Sequence, residues 1–309
     1  MNEELRNVET IKKRIAYTKF WDRVFLSVGS LATLVGLVLL FTLFIDLFVD
    51  GAPRLSLKFL TSFPSRFPEE AGILSAWVGT FLVMLVTAFA AIPVGIAAGI
   101  YLEEYARKNW LTDIIEINIS NLAGIPSIVY GLLALGLFVY FFKFGESVLT
   151  GGLALALLVL PMVIIATREA IRAIPNSIRE ASYALGATKW QTVQWHIIPY
   201  SVGGILTGII IGLSRAIGET APIITVGALT FIAFLPSSPV TPDFPFLSFK
   251  WLSDPFTVMP IQLFNWVSRP QQAFHINAAA TGIVLLLMTL LMNALAIYIR
   301  YRSRKKIKW

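Results

Sequence analysis

Residues 149–170 read LTGGLALALLVLPMVIIATREA, and this stretch decides the fold class. Every residue from 153 to 163 is apolar, so the alternation of apolar and polar residues typical of a membrane β-barrel strand is missing. About 20 apolar residues cross the roughly 30 Å hydrocarbon core as a helix, and a helix satisfies its own backbone groups in lipid. The stretch therefore predicts a transmembrane helix.

Five further runs have the same character, at residues 24–49, 73–101, 118–142, 200–234 and 276–301. Together they predict an all-α integral membrane protein with six transmembrane helices. The first run is too long for a signal peptide and lacks a clear cleavage site, so we expect it to be a retained span. We divide the 309-residue chain into an N-terminal segment 1–23, a six-helix domain 24–301 and a basic tail 302–309.

The net charge of +7 is distributed unevenly along the chain. Basic residues concentrate in the N-terminal segment, in the tail and in the loops after the second and fourth runs. The positive-inside rule then predicts a multi-pass protein of the cytoplasmic (inner) membrane with both termini in the cytoplasm, which agrees with an even number of spans. This distribution favours contact with lipid headgroups over binding to nucleic acid.

Other features of the composition narrow the chemistry. The chain has no cysteine, so disulfides and thiolate metal sites are excluded. Its two histidines, His196 and His275, are too isolated to suggest a metal site, and we expect no cofactor. HExxH, Gly-x-Gly-Asp and serine–histidine arrangements are missing from the apolar runs, which argues against an intramembrane enzyme.

Two long loops, at residues 51–72 and 236–275, are expected to face outward. The second is dense in proline and aromatic residues. Proline at this density is predicted to block regular helix and sheet, and the aromatic side chains favour an interfacial or protein surface. A cap that lies on the headgroups and a docking surface for a soluble partner both fit this loop.

The 167–199 loop reads TREAIRAIPNSIREASYALGATKWQTVQWHIIP and is predicted to form a helix, a tight turn and a second helix. Apolar residues at three- and four-residue spacing give the first helix one apolar stripe; they are Ile171, Ile174, Ile178, Ala181 and Leu185. Gly186 is suited to end that helix, and Thr188 with Gln191 matches a capping box. Since both ends enter the membrane, this short element suits a groove in another protein better than a DNA groove.

The same loop resembles the EAA signature of ABC importer permeases through Glu180-Ala181, Leu185-Gly186-Ala187 and Ile198-Pro199. Ser182 stands where that signature has a second alanine, a small-for-small change. Residues 121–131, NLAGIPSIVYG, and 213–222, LSRAIGETAP, resemble the phosphate-specific permeases of the PstA type. The resemblance implies that Glu180, Ala181, Ser182, Leu185, Gly186 and Ala187 form a coupling helix that contacts an ATP-hydrolysing subunit.

The resemblance further implies a permease subunit of an ATP-binding-cassette importer that carries inorganic phosphate and has no ATPase site of its own. A G-x-x-x-x-G-K-[ST] phosphate loop is missing from the sequence, in keeping with this expectation. The implied partners are a related permease of the PstC type, two ATP-hydrolysing subunits and an extracytoplasmic phosphate-binding protein. The alternatives are a permease for sulfate or molybdate, a passive channel and an intramembrane enzyme.

Arg215 and Glu219 are the charges deepest in an apolar run and are the first candidates for the substrate pathway. They lie four residues apart, which predicts one helical face and an ion pair. A charge within a span is costly unless it faces protein or water, and arginine suits phosphate oxygens. Glu219 would hold Arg215 in a closed state or accept a hydrogen bond from protonated phosphate. The alternative is a salt bridge that only orients the helix.

Further pathway candidates are Arg168, Pro126, Ser127 and Tyr130. Arg168 ends the fourth run and is expected either to contact an anion at the exit or to extend towards the headgroups. Pro126 interrupts the third run, where it predicts either an unwound site with Ser127 and Tyr130 or an ordinary proline kink. Glycines spaced along the fifth run predict close helix packing within or between subunits; they are Gly203, Gly204, Gly208 and Gly212.

Overall fold

The computed structural model describes residues 2–240 and 246–304 of the chain. Residues 241–245 of the long loop and residues 305–309 of the basic tail lie outside this description. The described residues form α-helices joined by turns and by longer loops, with short 3-10 helices at Ala52–Arg54 and Lys250–Ser253, and their one β feature is an isolated bridge between Val240 and Leu247. The helices are α1 Asn2–Gly51, α2 Leu57–Thr61, α3 Leu74–Ile100, α4 Trp110–Leu122, α5 Ser127–Ala134, α6 Val148–Arg172, α7 Asn176–Ala184, α8 Lys189–Thr192, α9 Ile198–Ala216, α10 Ala221–Thr225, α11 Met259–Val267 and α12 Gln272–Arg304. Three π-helical turns extend or connect them, at Tyr101–Tyr105, Leu135–Phe141 and Val193–Ile197.

Five of these helices are long and apolar enough to cross a membrane, and there are six such spans if α4 and α5, which form a bent pair, are counted as one. The five are α1, α3, α6, α9 with its preceding turn, and α12. The prediction of an all-α membrane protein is therefore confirmed.

Helix α6 is the centre of the bundle, with α3 on one side and α9 on the other. Small residues permit both contacts: a Cβ at Gly208 of α9 would lie 2.1 Å from the Ala166 Cβ of α6. A Cβ at Gly152 of α6 would lie 2.4 Å from the Val86 side chain of α3. The glycine stripe in the fifth run thus packs against α6 of the same chain, as close packing in membranes requires.

Helix α1 stands apart from this bundle. The apolar part of α1 is exposed along its length. The C-terminal end of α1 contacts α12. There a Cβ at Gly51 would lie 2.7 Å from the backbone of Ala279 and Ala280, and Leu47 lies against Gly282. The first and last spans of the chain are therefore neighbours.

Arg54 ties the loop that follows α1 to the start of α12. Its guanidinium donates to the carbonyls of Pro68, Glu69 and Ala71 at 2.6–3.0 Å and to Oδ1 of Asn277 at 2.7 Å. Asn277 donates in turn to the Pro68 carbonyl. One half-buried arginine thus holds the loop in a single conformation, since charge-assisted hydrogen bonds are stronger than neutral ones.

Two predicted spans are not continuous helices. The third run breaks between α4 and α5, whose axes differ by 108°, and Pro126 precedes the second helix as its N-cap. The ordinary-kink alternative is therefore wrong. The fifth run ends as α9 at Ala216, and the short α10 follows after a turn. Proline explains both breaks in part. Pro126 stands at the start of α5 and Pro222 at the start of α10, where the first backbone N–H groups have no partner within the helix and the missing N–H of proline costs nothing.

The prediction that proline blocks helix formation in the 236–275 loop is wrong. Helix α11 forms within it, with Pro260 in its first turn, where the missing N–H costs nothing. The loop also enters the bundle: Phe256 and Trp266 are buried, and the Phe256 carbonyl accepts from the Leu229 amide at 3.0 Å. Its central part is a packed component of the protein core, while Phe249 remains exposed.

Candidate functional site

The two segments that interrupt the predicted spans meet in space. Helices α5 and α10 pack together, and a Cβ at Gly131 would lie 1.9 Å from Thr225 Oγ1 and 2.7 Å from Pro222 Cα. Only glycine permits this approach. The NLAGIPSIVYG and LSRAIGETAP segments therefore build one site. In the sequence, the first segment ends at residue 131 and the second begins 82 positions later, at residue 213.

Arg215 and Glu219 form an ion pair at this junction. Arg215 Nε lies 3.2 Å from Glu219 Oε1, and Arg215 also approaches the Met162 sulfur of α6. The helical-face reasoning was wrong, because α9 ends at Ala216 and Glu219 lies in the turn beyond it. The turn brings the pair together instead, through hydrogen bonds from the amides of Gly218 and Glu219 to the last turn of α9.

The two partners of this pair differ in exposure. The Arg215 side chain is 41% exposed and the Glu219 side chain 18%. Glu219 lines an interior cavity of about 10 Å³ together with Thr80 and Met84 of α3 and Val258 of the long loop. A cavity of this size holds at most one water molecule. The space beside Glu219 therefore has no room for an ion of the size of phosphate in this conformation.

Thr80 and Met84 were missed by the sequence analysis. Both lie within a continuous apolar run, where a threonine that donates to the carbonyl four residues earlier gives no distinctive signal. Thr80 Oγ1 also accepts from the Met259 amide at 2.9 Å, so it anchors the start of α11 beside the cavity.

Pro126, Ser127 and Tyr130 lie at the break between α4 and α5. Pro126 is exposed, Ser127 begins α5, and Tyr130 is buried. The Tyr130 hydroxyl donates to the Leu122 carbonyl at 2.7 Å and so satisfies a carbonyl at the end of α4. Tyr130 thus fastens the start of α5 to the end of α4, whereas Pro126 shapes the backbone between them.

Arg168 lies apart from this junction, at the other end of α6, and does not extend towards headgroups. Its side chain is 8% exposed and forms ion pairs with Glu116 at 2.6 Å and with Glu103 at 3.6 Å. Glu103 also accepts from Arg172. The sequence analysis missed both carboxylates, although an acidic pair, Glu103-Glu104, at the basic side of a span was a visible signal.

The predicted helix, turn and helix of the 167–199 loop are present as α7, a turn and α8, which we call the elbow. Gly186 has φ +82°, a conformation that favours glycine. Thr188 and Gln191 form the predicted capping box. Ser182 is buried and shares a hydrogen bond of 2.9 Å with the Thr192 hydroxyl, so it joins α7 to α8 and does not face outward.

The remaining elbow residues of the EAA-like signature form an exposed tip. Leu185, predicted as part of the apolar stripe, is 89% exposed, so the stripe ends before it. Glu180, Ala181 and Gly186 are exposed and Ala187 is half-buried. Ile171 and Ile174 of the same stripe are buried with Ile197 at the base of the elbow. The structure thus presents a leucine tip on a packed base.

Comparison with known proteins places these features in context. The family model described as "Binding-protein-dependent transport system inner membrane component" matches residues 91–309. A "Phosphate transport system permease protein PstA" of Yersinia pestis is 32% identical over 306 residues, covering 96% of this chain and 95% of that protein. A "Probable ABC transporter permease protein YqgI" of Bacillus subtilis (strain 168) is 33% identical over 212 residues, covering 69% of this chain and 72% of that protein.

Among solved structures, a bacterial ABC transporter involved in the import of the acidic polysaccharide alginate matches with a TM-score of 0.58. The identity is 14%, and the match covers 92% of this chain and 99% of that chain. This likeness concerns the fold.

Proposed function

The chain belongs to the family of binding-protein-dependent transport system inner membrane components, a multi-pass membrane permease family, and from this premise we propose that it carries inorganic phosphate as a subunit of an ATP-driven importer. The similarity to phosphate permeases over 96% of the chain supports the choice of substrate. One structural observation carries the proposal: Arg215 and Glu219 pair at a break in a membrane span, beside a closed cavity.

Arg215 is the anion contact in this proposal. Its guanidinium is permanently charged and offers forked donors that match phosphate oxygens. Glu219 holds it in the closed conformation, and opening of the neighbouring cavity frees the guanidinium for phosphate. Tyr130 and Ser127 line the approach, and Pro126 sets the break. Arg168, bound by two carboxylates, contacts an anion only where Glu116 is displaced.

A second permease subunit completes the pathway. The Arg215 side chain is 41% exposed on this chain, and a charge within a span requires protein or water around it. A related permease of the PstC type, packed on this face, supplies that environment. An extracytoplasmic phosphate-binding protein delivers the substrate on the side of the 236–275 loop.

Energy for transport enters through the elbow. Two ATP-hydrolysing subunits bind on the cytoplasmic side, where both termini of this chain lie, and the chain needs no ATPase site of its own. The tip with Glu180, Ala181, Leu185, Gly186 and Ala187 enters a groove of the ATPase, an arrangement suited to an exposed leucine beside a glycine turn. Ser182 holds the two elbow helices together.

The test is phosphate uptake into vesicles that carry the reconstituted importer with its binding protein and ATP. Arg215→Ala is expected to lower uptake at least about tenfold, since charge-assisted hydrogen bonds contribute roughly 1.5–3 kcal/mol. Arg14→Ala, which removes an exposed cation from α1, the helix that stands apart from the bundle, is the matched control and is expected to transport normally. Normal uptake by Arg215→Ala with an assembled importer contradicts the assignment.

The same vesicles separate the alternatives. If the native importer takes up sulfate or molybdate and does not take up phosphate, the chain is a permease for another oxyanion. Uptake that persists without the ATPase subunits identifies a passive channel.

A further inference from the structure

The cytoplasm-facing end of α3 is a π-helical turn, Tyr101–Tyr105, with the sequence YLEEY. Three successive side chains of this turn contact three different segments. Glu103 pairs with Arg168 and Arg172 of α6, Glu104 pairs with Arg179 of α7, and the Tyr105 ring stacks under the Lys189 ammonium of α8. A π-turn places consecutive side chains differently from an α-helix and is frequent at functional positions.

The Glu104–Arg179 contact is the most buried of the three. Arg179 Nη2 lies 2.7 Å and Nε 3.0 Å from the same Glu104 oxygen, and the two side chains are 5% and 16% exposed. Arg179 Nη2 also donates to the Ile171 carbonyl, and Nη1 donates to the Ile174 carbonyl and to Asn176 Oδ1. Removal of one partner therefore leaves a buried charge uncompensated, which is strongly unfavourable.

The elbow is also connected to the bundle by its backbone and by the apolar cluster of Ile171, Ile174 and Ile197. The backbone from α6 to α7 passes through Ala173, Ile174 and Pro175, outside a regular helix. The backbone from α8 to α9 passes through the π-turn Val193–Ile197. The elbow thus enters the bundle through a short non-helical segment on the α6 side and through continuous helix on the α9 side.

Helix α3 leads from this contact to the substrate junction. Met84 and Thr80, which line the cavity beside Glu219, lie on α3 about 30 Å and about 36 Å from Glu104 at 1.5 Å per residue. Movement of the Glu104 end would reach the wall of the small cavity along α3, which is one continuous helix from Leu74 to Ile100 with Pro93 inside it.

We propose that Glu104 and Arg179 are positioning residues that couple the elbow to α3, so that displacement of the elbow by the ATPase moves the cavity wall at Thr80 and Met84. This inference rests on the proposed function. In this proposal, motion of the elbow reaches the cavity wall through the Glu104–Arg179 pair and α3, as well as through the backbone that joins the elbow to α6 and α9.

The first test measures ATP hydrolysed per phosphate imported in the same vesicles. Glu104→Gln and Arg179→Gln are expected to raise this ratio about two- to thirtyfold, the range of coupling effects from residues between sites. The charge exchange Glu104→Arg with Arg179→Glu is expected to restore it in part. Glu169→Gln, which removes an exposed carboxylate paired with Arg172 nearby, is the control and is expected to leave the ratio unchanged. A merely structural pair lowers uptake and hydrolysis together at a constant ratio, and that result overturns the proposal.

The second test does not depend on the substrate. The chain has no cysteine, so Ser177→Cys on α7 and Lys108→Cys beyond the α3 turn accept two spin labels without further changes. In the importer assembled with cysteine-free partners, the label distance is expected to stay constant between nucleotide-free and ATP-bound states and to change in the Glu104→Gln background.

A native distance that changes with ATP, or an equally constant distance in Glu104→Gln, overturns the coupling proposal. Phosphate uptake that is missing from the native importer, with label distances as expected, counts against the proposed substrate and leaves the coupling intact. The failures of the two proposals are thereby distinguished.

Discussion

Gly131→Ala is expected to separate the two halves of the junction between α5 and α10. The added Cβ would lie 2.7 Å from Pro222 Cα, whereas ordinary contact begins at 3.4 Å, so α10 must retreat by about 0.7 Å, the difference of these distances. The Cβ would also lie 1.9 Å from Thr225 Oγ1, which must rotate and give up its 2.8 Å hydrogen bond to the Pro222 carbonyl.

The magnitude follows from two opposing effects. Overpacking of a core costs about 1–3 kcal/mol. Alanine offsets at most about 1 kcal/mol of this through its higher helix propensity. Because the turn with Arg215 and Glu219 connects α9 to α10, the shift alters the geometry of the ion pair. We expect phosphate uptake to fall about tenfold, equivalent to roughly 1.4 kcal/mol on the transport barrier.

The assay is the initial rate of uptake in reconstituted vesicles, with the assembled complex quantified on the same sample. Gly136→Ala is the matched control, because it makes the same change in the π-helical continuation of the same span, where nothing lies within 4 Å. Equal rates for the two variants would refute the view that contact between α5 and α10 sets the junction.

Two further changes test the packing of the bundle. Gly208→Ala is expected to lower the midpoint of thermal unfolding, because the added Cβ would overlap α6 at a cost of about 1–3 kcal/mol. The control Gly36→Ala, on exposed α1, is expected to leave the midpoint unchanged or to raise it. Equal midpoints for the two variants would contradict the close packing of α6 and α9. Arg54→Met is expected to destabilise the protein by about 1–3 kcal/mol, because it leaves carbonyl acceptors unsatisfied. Its midpoint of thermal unfolding is compared with that of Arg66→Met in the same loop, a change that removes only a stacking contact with Phe67. A midpoint for Arg54→Met that matches Arg66→Met would show that the loop does not depend on Arg54.

The parts of the fold that the sequence predicted depend on local patterns. Length and apolarity alone identify the spans, and Gly186 with the Thr188–Gln191 capping box identifies the elbow from residues adjacent in the chain. The 108° break at Pro126 was open, because proline permits both a kink and a break, and the outcome depends on a neighbour such as α10 that local sequence does not specify.

The candidate site was predictable only as a pair of residues. Arg215 and Glu219 were visible as charges in an apolar run, but their contact arises from a turn and not from a helical face. The partners of Arg168 lie 52 and 65 positions away in the sequence, at Glu116 and Glu103, so their pairing depends on how α3, α4 and α6 pack. Spacing along one helix carries no information about such contacts.

The neighbouring positions of α1 and α12 have a consequence for biogenesis. Ribosomes release α1 into the membrane first, yet its contacts at Gly51 and the Arg54–Asn277 hydrogen bond await the last span, 223 residues later. Nascent chains that stop before α12 leave Arg54 without its Asn277 acceptor. Completion of the chain therefore changes the surroundings of Arg54 and of the C-terminal end of α1, while the rest of α1 stays exposed.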